Sequence, residues 1–179
     1  MCIRDRNKGL VCASAGNHAQ GFALSCSHLN KKGTVFIPRS APQLKIERVS
    51  QFGGKFIDIN IHGLNFYDAY DVAKIFTKNN DMVFIHPFDD MKVIEGQATL
   101  FLEMINQVDF NIDYLFVPIG GGGLLSGALN VFKQLSRSTK IVGVQVKGAP
   151  AMKKSLELNK LISLTTVSYT HLRAHETLN

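Results

Sequence analysis

A chain of 179 residues with 45% hydrophobic content and a formal net charge of +6 has room for one domain, or for a small domain joined to part of another, and its default state is globular and water-soluble. The positive surplus does not mark a nucleic-acid binder, because lysines such as Lys31, Lys32, Lys74 and Lys153 are spread along the chain without interleaved aromatics. No stretch reaches the roughly 20 apolar residues a membrane span needs. Cys2, Cys12 and Cys26 show neither a CxxC spacing nor histidines at metal-ligand intervals, which argues against a disulfide framework or a zinc site and fits a reducing cytoplasm.

Both ends read as foreign to the rest. Residues 1–6, MCIRDR, lack the apolar core of a signal peptide, and residues 167–179, with SYTHLRAHETLN from Ser168 onward, resemble translated sequencing-adapter sequence of the kind found at the ends of assembled fragments. His171 and His175 have the i, i+4 spacing of a helical metal pair. In such a tail that spacing is assigned to chance, and no metal is expected.

The body, residues 7–166, alternates short apolar segments rich in Val, Ile or Phe with longer segments whose apolar residues recur at three- and four-residue spacing. In chain order, a strand over 9–13 leads to a helix over 17–29 that turns Ala19, Phe22, Ala23 and Cys26 toward the core. A strand over 34–37 precedes a helix over 42–52. Pro42 suits its first turn, where the missing N–H costs nothing, and Gly53 and Gly54 stop it. Strands over 55–59 and 82–85 bracket a helix over 64–77, and a helix over 93–107 follows. Strands over 114–119 and 140–146 then alternate with helices over 124–135 and 149–158. Short apolar strands joined through helices pair in parallel and lie buried between helical layers. The expected fold class is therefore α/β, a three-layer αβα sandwich with parallel sheets, and ligands should gather just beyond the carboxyl ends of the strands.

Two segments occupy such positions. Gly120, Gly121, Gly122 and Gly123 directly follow the strand over 114–119 and precede a helix. Glycines bring backbone N–H groups close to an anion, and the helix N-terminus adds its positive dipole end, so this is a phosphate cradle. The alternative is a tight strand-to-helix turn, for which four glycines exceed the need. A dinucleotide fingerprint is not met, because Ser126 breaks the G-x-G-x-x-G register and an acidic residue about 20 positions on is replaced by Lys140; a P-loop lacks its Gly-Lys-Ser/Thr. A single phosphate on a small cofactor fits better. The second segment, 14–21, reads SAGNHAQG. Amides around Gly16 can point at a carboxylate, while Ser14 or Asn17 could equally be a helix N-cap and His18 a packed or solvated first-turn histidine.

Together, SAGNHAQG at 14–21, HPFD at 86–89 ahead of Glu95, Gly96 and Gln97, and VPIGGGGL at 117–124 resemble the threonine dehydratase family of fold-type II pyridoxal-phosphate (PLP) enzymes, over most of 9–160. The resemblance implies an incomplete tryptophan synthase β-like fold, in which 7–88 form mostly the smaller mobile domain and 89–166 part of the larger PLP-binding domain. It implies that Gly120, Gly121, Gly122, Gly123 and Leu124 hold the cofactor phosphate and that Asn17 bonds the ring hydroxyl. Ser14, Ala15, Gly16 and His18 would form a loop that receives the substrate carboxylate and closes to exclude water, with His86 to Phe88 near the wall of the site.

The implied reaction is β-elimination from threonine, giving 2-oxobutanoate and ammonia, with serine as a second amino-acid substrate. Serine racemase or serine dehydratase would share both loops, and a non-catalytic phosphate-ligand domain is the competing class. The family's Schiff-base lysine is expected upstream. Lys8 lacks its Ser-Phe-Lys context, so the chain is expected to contain no catalytic residue and to be an inactive internal fragment. Gln145 stands where relatives often carry a cation-binding Glu; it reads either as a weak oxygen ligand or as a solvated strand-end residue, and no metal is expected. The parent is expected to be a cytoplasmic homo-oligomer in isoleucine biosynthesis, with no nucleic-acid or membrane partner.

Overall fold

The structure is a computed structural model that describes residues 8–162; residues 1–6, Cys2 and the adapter-like tail with His171 and His175 lie outside them. The chain divides into two compact units between Asp90 and Met91.

In the first unit, β1 (Leu10–Ala13), β2 (Gly33–Ile37), β3 (Ile57–Ile61) and β4 (Val83–Phe84) form one sheet in the order β3-β2-β1-β4, with every pair parallel. All residues of β1 and β2 are buried. The reason is covering on both faces. Leu10 and Cys12 with Val35 and Ile37 face α1 (Asn17–His28) and α2 (Gln43–Gly53), whereas Val11, Ala13 and Phe36 face α3 (Phe66–Asn79) through Ala69 and Ala73. Alternate side chains of a strand point to opposite faces, so a strand buried on both reads as an unbroken apolar run. This unit is the expected three-layer sandwich.

The edges depart from the sequence reading. The strand expected over 55–59 begins two residues later, because Gly54 takes φ +51° and a 3-10 turn (Gly54–Phe56) carries Lys55. β3 is then an edge strand, with Ile57 and Ile59 packed inward and Asp58 and Asn60 exposed. Pro42 sits one position before α2, as its N-cap. Asn65 caps α3 by accepting from the N–H groups of Tyr67 and Asp68 at 2.8 and 3.2 Å, and the Asp68 carboxylate returns to the Leu64 and Asn65 amides. Those bonds hold the Asp68 carboxyl below its usual value.

The second unit pairs β5 (Tyr114–Pro118) and β6 (Lys140–Val144) in parallel, Tyr114 opposite Lys140. Its core joins Val117 to Phe101 of α4 (Met91–Gln107) and to Ala128, Val131 and Phe132 of α5 (Gly123–Leu135). On the other face Phe116 is 66% exposed and stacks on Tyr114. A short α6 (Ala151–Glu157) follows β6. Among the described residues no helix is long and apolar enough to cross a membrane.

Candidate functional site

The expected site residues fall at two strand-to-helix junctions, one in each unit. At the first, Ser14 continues the ladder past the end of β1, its N–H donating to the Phe36 carbonyl at 3.1 Å. Its buried hydroxyl accepts the Gly16 N–H at 3.1 Å, which bends the chain over Ala15. Neither Ser14 nor Asn17 caps α1: the N-cap is Gly16, no side chain among the described residues makes a capping bond to it, and no acidic residue sits in the first turn. The Gln20 N–H makes the first bond back, to the Gly16 carbonyl at 3.3 Å, so the amides of Asn17, His18 and Ala19 have no intrahelical acceptor. The Asn17 side chain is exposed.

His18 is half-buried, and its Nε2–H donates to the Ile85 carbonyl at 3.2 Å. Burial lowers its pKa; the carbonyl pulls it back up, and a charged His86 would push it down further. With Nε2–H donated to Ile85, the neutral form of His18 carries its lone pair on Nδ1. Beside it in sequence, the Gln20 Nε2 is buried with no hydrogen-bond partner among the described residues.

At the second junction the Ile119 N–H donates to the Val144 carbonyl at 2.8 Å, which closes the β5–β6 ladder. Gly120 and Gly121 are exposed, Gly122 is the N-cap of α5 with φ +95°, and buried Gly123 opens the helix. The first bond back is Ser126 N–H to the Gly122 carbonyl at 2.9 Å, leaving the amides of Gly123, Leu124 and Leu125 without intrahelical acceptors. The Leu124 side chain packs on the unit's core. Again no side chain among the described residues caps the helix, and its first turn holds no acid.

The glycines differ in what they are for. Gly122 is demanded by its positive φ, and a Cβ there would also come within 3.0 Å of Met152 Cε. A Cβ on Gly120 or Gly16 would meet nothing within 4 Å, and neither residue has a positive φ. Neither packing among the described residues nor a positive φ explains these two glycines. Open space at uncapped helix starts, with no acidic residue in either first turn, is where an anion can approach the main chain closely.

Comparison with known proteins gives the family. The family described as pyridoxal-phosphate dependent enzyme matches residues 2–176. The chain belongs to this PLP-dependent family. Among curated relatives, the biosynthetic L-threonine dehydratase IlvA of Halalkalibacterium halodurans is 46% identical over 161 residues, 90% of this chain and 39% of that protein. The Bacillus subtilis protein of the same name is 43% identical over 159 residues, 89% of this chain and 38% of its own length. The chain thus spans about two-fifths of the curated relatives it matches. Among solved structures, processed threonine deaminase isoform 2 from Solanum lycopersicum superposes with a TM-score of 0.83 at 38% identity, covering 92% of this chain and 47% of that one. Maize serine racemase gives 0.82 at 33% identity, covering 93% and 50%.

The residues present fit the PLP of the family. A monoester phosphate needs amide donors and close approach, and the Gly120-to-Leu124 segment offers both, with no acidic residue in the first turn of α5. Sequence reasoning missed two supports. Gln145 is not a solvated strand end: its Nε2 donates to the Ile119 carbonyl at 3.4 Å and its Oε1 accepts the Lys153 N–H at 3.0 Å, tying the glycine segment to the start of α6. His86 Nδ1 accepts the amides of Asp89 at 2.8 Å and Phe88 at 3.3 Å. The Asn/Ser-like offset of i to i+2 and i+3 was the signal for the second; the first depends on tertiary neighbours and left none.

Proposed function

We propose that this chain carries the phosphate cradle and the substrate loop of a PLP-dependent threonine dehydratase that converts L-threonine to 2-oxobutanoate and ammonia. The observation that carries the reading is the pair of uncapped helix starts whose glycines, Gly16 and Gly120, are required by neither packing nor backbone conformation.

Bound PLP supplies an electron sink for the pair released when the α-proton of an amino acid leaves. The chain's residues do the holding. The amides at Gly120, Gly121, Gly122, Gly123 and Leu124 bind the cofactor phosphate, and Asn17 donates to the ring hydroxyl. Main-chain amides of Ser14, Ala15, Gly16 and His18 receive the substrate carboxylate, and closure of this loop excludes water so that the β-hydroxyl leaves from an oriented substrate. His86 to Phe88 line the wall. Residues 7–88 belong mostly to the smaller mobile domain and 89–166 to part of the larger one. The amine that moves the α-proton comes from a lysine outside these residues, a reading supported by the sequence around Lys8, which lacks the Ser-Phe-Lys context. The completed protein is a cytoplasmic homo-oligomer of amino-acid metabolism.

Two experiments test this. The chain alone, mixed with PLP, should develop no lysine-linked visible band beyond free cofactor; such a band overturns the claim about the lysine. The protein completed to the length of its relatives should release 2-oxobutanoate from L-threonine, and absence of keto acid defeats the dehydratase reading. The likeness to maize serine racemase favours a second reading, which D-serine formation from L-serine in the same assay would support.

A further inference from the structure

His18 owes its orientation to one acceptor, the Ile85 carbonyl. Ile85 is the last residue tied to the sheet, its N–H donating to the Val11 carbonyl at 2.8 Å. Ile85 lies one residue past β4, and His86 fixes how the chain turns away from the sheet. One imidazole nitrogen, Nδ1, accepts both the Asp89 and the Phe88 amides, the arrangement in which an Asn or Ser oxygen ordinarily caps the N–H groups two and three residues on. Pro87 has no N–H to compete. A nitrogen that accepts two N–H bonds carries no proton, so His86 is a neutral ring with its hydrogen on Nε2. The ring is held edge-on to Phe88, Tyr70 and Phe84, with centroids 4.7, 5.7 and 6.2 Å away. Burial chiefly keeps the proton off; Lys74 of α3 acts the same way, against the pull of Asp89 and Asp90 in the turn.

We propose that His86 is a positioning residue: by capping the 86–89 turn it fixes the Ile85 carbonyl, and that carbonyl fixes the ring orientation and tautomer of His18. The proposal rests on the reading that His18 lies in the substrate loop, and it assigns His18 a specific part there. With Nε2–H committed to Ile85, the remaining nitrogen is a lone-pair acceptor, which repels a carboxylate and takes a hydrogen bond from a hydroxyl or ammonium group. The carboxylate is then left to the main-chain amides, and His18 discriminates by accepting.

The test is made on the 179-residue chain without cofactor, at pH 8, by two-bond imidazole ¹⁵N correlations with His18 assigned from a His18→Gln sample. The native chain should show both His18 and His86 as single Nε2–H tautomers. In His86→Ala, His18 should become a mixture of tautomers, and the Asp89 amide should exchange at least about fivefold faster, the factor equivalent to one net hydrogen bond. His86→Asn should restore both signals, because its side-chain oxygen replaces Nδ1 as the cap. A single His18 tautomer and an unchanged Asp89 exchange rate in His86→Ala overturn the proposal. If His86→Ala does not fold, loss of the single tautomer in folded His86→Asn overturns it equally. No step involves PLP, so failure here leaves the cofactor reading standing, and failure of the cofactor reading leaves this linkage intact.

Discussion

Replacing Gly127 by Ala sets two well-known effects against each other. Gly127 lies inside α5, where helix propensity alone makes Ala better by about 0.8–1.0 kcal/mol. The neighbours decide otherwise. A Cβ at this position would stand 2.8 Å from the Ala98 nitrogen, 3.0 Å from the Gln97 carbonyl carbon and 3.2 Å from the Ala98 Cα, all backbone atoms of α4. A side-chain tip could rotate away, but helix backbone cannot, so α4 and α5 must separate and loosen the Phe101, Val117 and Phe132 cluster between them. Overpacking of this kind costs about 1–3 kcal/mol, and rigid neighbours put this site at the upper end. The net expectation for Gly127→Ala is a loss of about 1–2 kcal/mol after the propensity gain is subtracted. The assay is urea unfolding followed by far-UV circular dichroism, with Gly96→Ala as the matched control: Gly96 lies in α4 of the same unit, is exposed, and its Cβ would meet nothing within 4 Å. The control should gain the propensity term. If Gly127→Ala is as stable as the native chain or more so while the control gains, the close helix approach is not what holds this glycine in place.

Other expectations follow from the same contacts. Burial pushes the Cys26 thiol up to about 11 from 9.0, so at pH 8 its thiolate, and its rate of attack on a disulfide reagent, should be about a hundredfold below an ordinary thiol. Cys12, also driven upward by burial, should be protected with it until urea unfolds the chain, and mass mapping of rapid native-state labelling at either site contradicts this. Gly122→Ala, forced to hold φ +95°, should cost about 1–2 kcal/mol, with Gly122→Asn milder, as read by thermal unfolding. His18 and His86 both titrate below 6.5 in the folded chain, chiefly through burial. The unfolded chain therefore binds more protons between those depressed values and 6.5, so stability is complete above pH 6.5 and falls as pH drops below it. A stability profile flat from pH 7 to 5 contradicts that sign.

Much of the fold was legible because burial and periodicity coincide. Residues 10–13 and 33–37 are buried on both faces, so they read as near-continuous apolar runs, LVCA and GTVFI, with Thr34 the one polar residue, and α1 places Ala19, Phe22, Ala23 and Cys26 at the helical spacing that the sequence displays. Lys55 was misread as strand because the backbone of Gly54, not local composition, sets where β3 begins. At the sites, the glycines announced the uncapped helix starts, but only the folded backbone separates Gly122, demanded by its own φ, from Gly120 and Gly16, demanded by neither φ nor packing among the described residues. The Gln145 clamp joins residues 26 positions apart and the His18 bond joins residues 67 apart. Contacts of that span leave no local pattern to read.

The central claim is that the Gly120-to-Leu124 amides hold the PLP phosphate, and Gly120 isolates it. Because a Cβ at Gly120 would meet nothing within 4 Å among the described residues, Gly120→Val should leave the melting temperature of the cofactor-free chain unchanged, and the variant is then carried into the completed protein. Its affinity for PLP should fall at least tenfold, a change of about 1.4 kcal/mol, as the valine fills the approach to the amides. Unchanged PLP affinity in the folded variant would contradict the account, since the glycine would then serve neither the fold nor the cofactor.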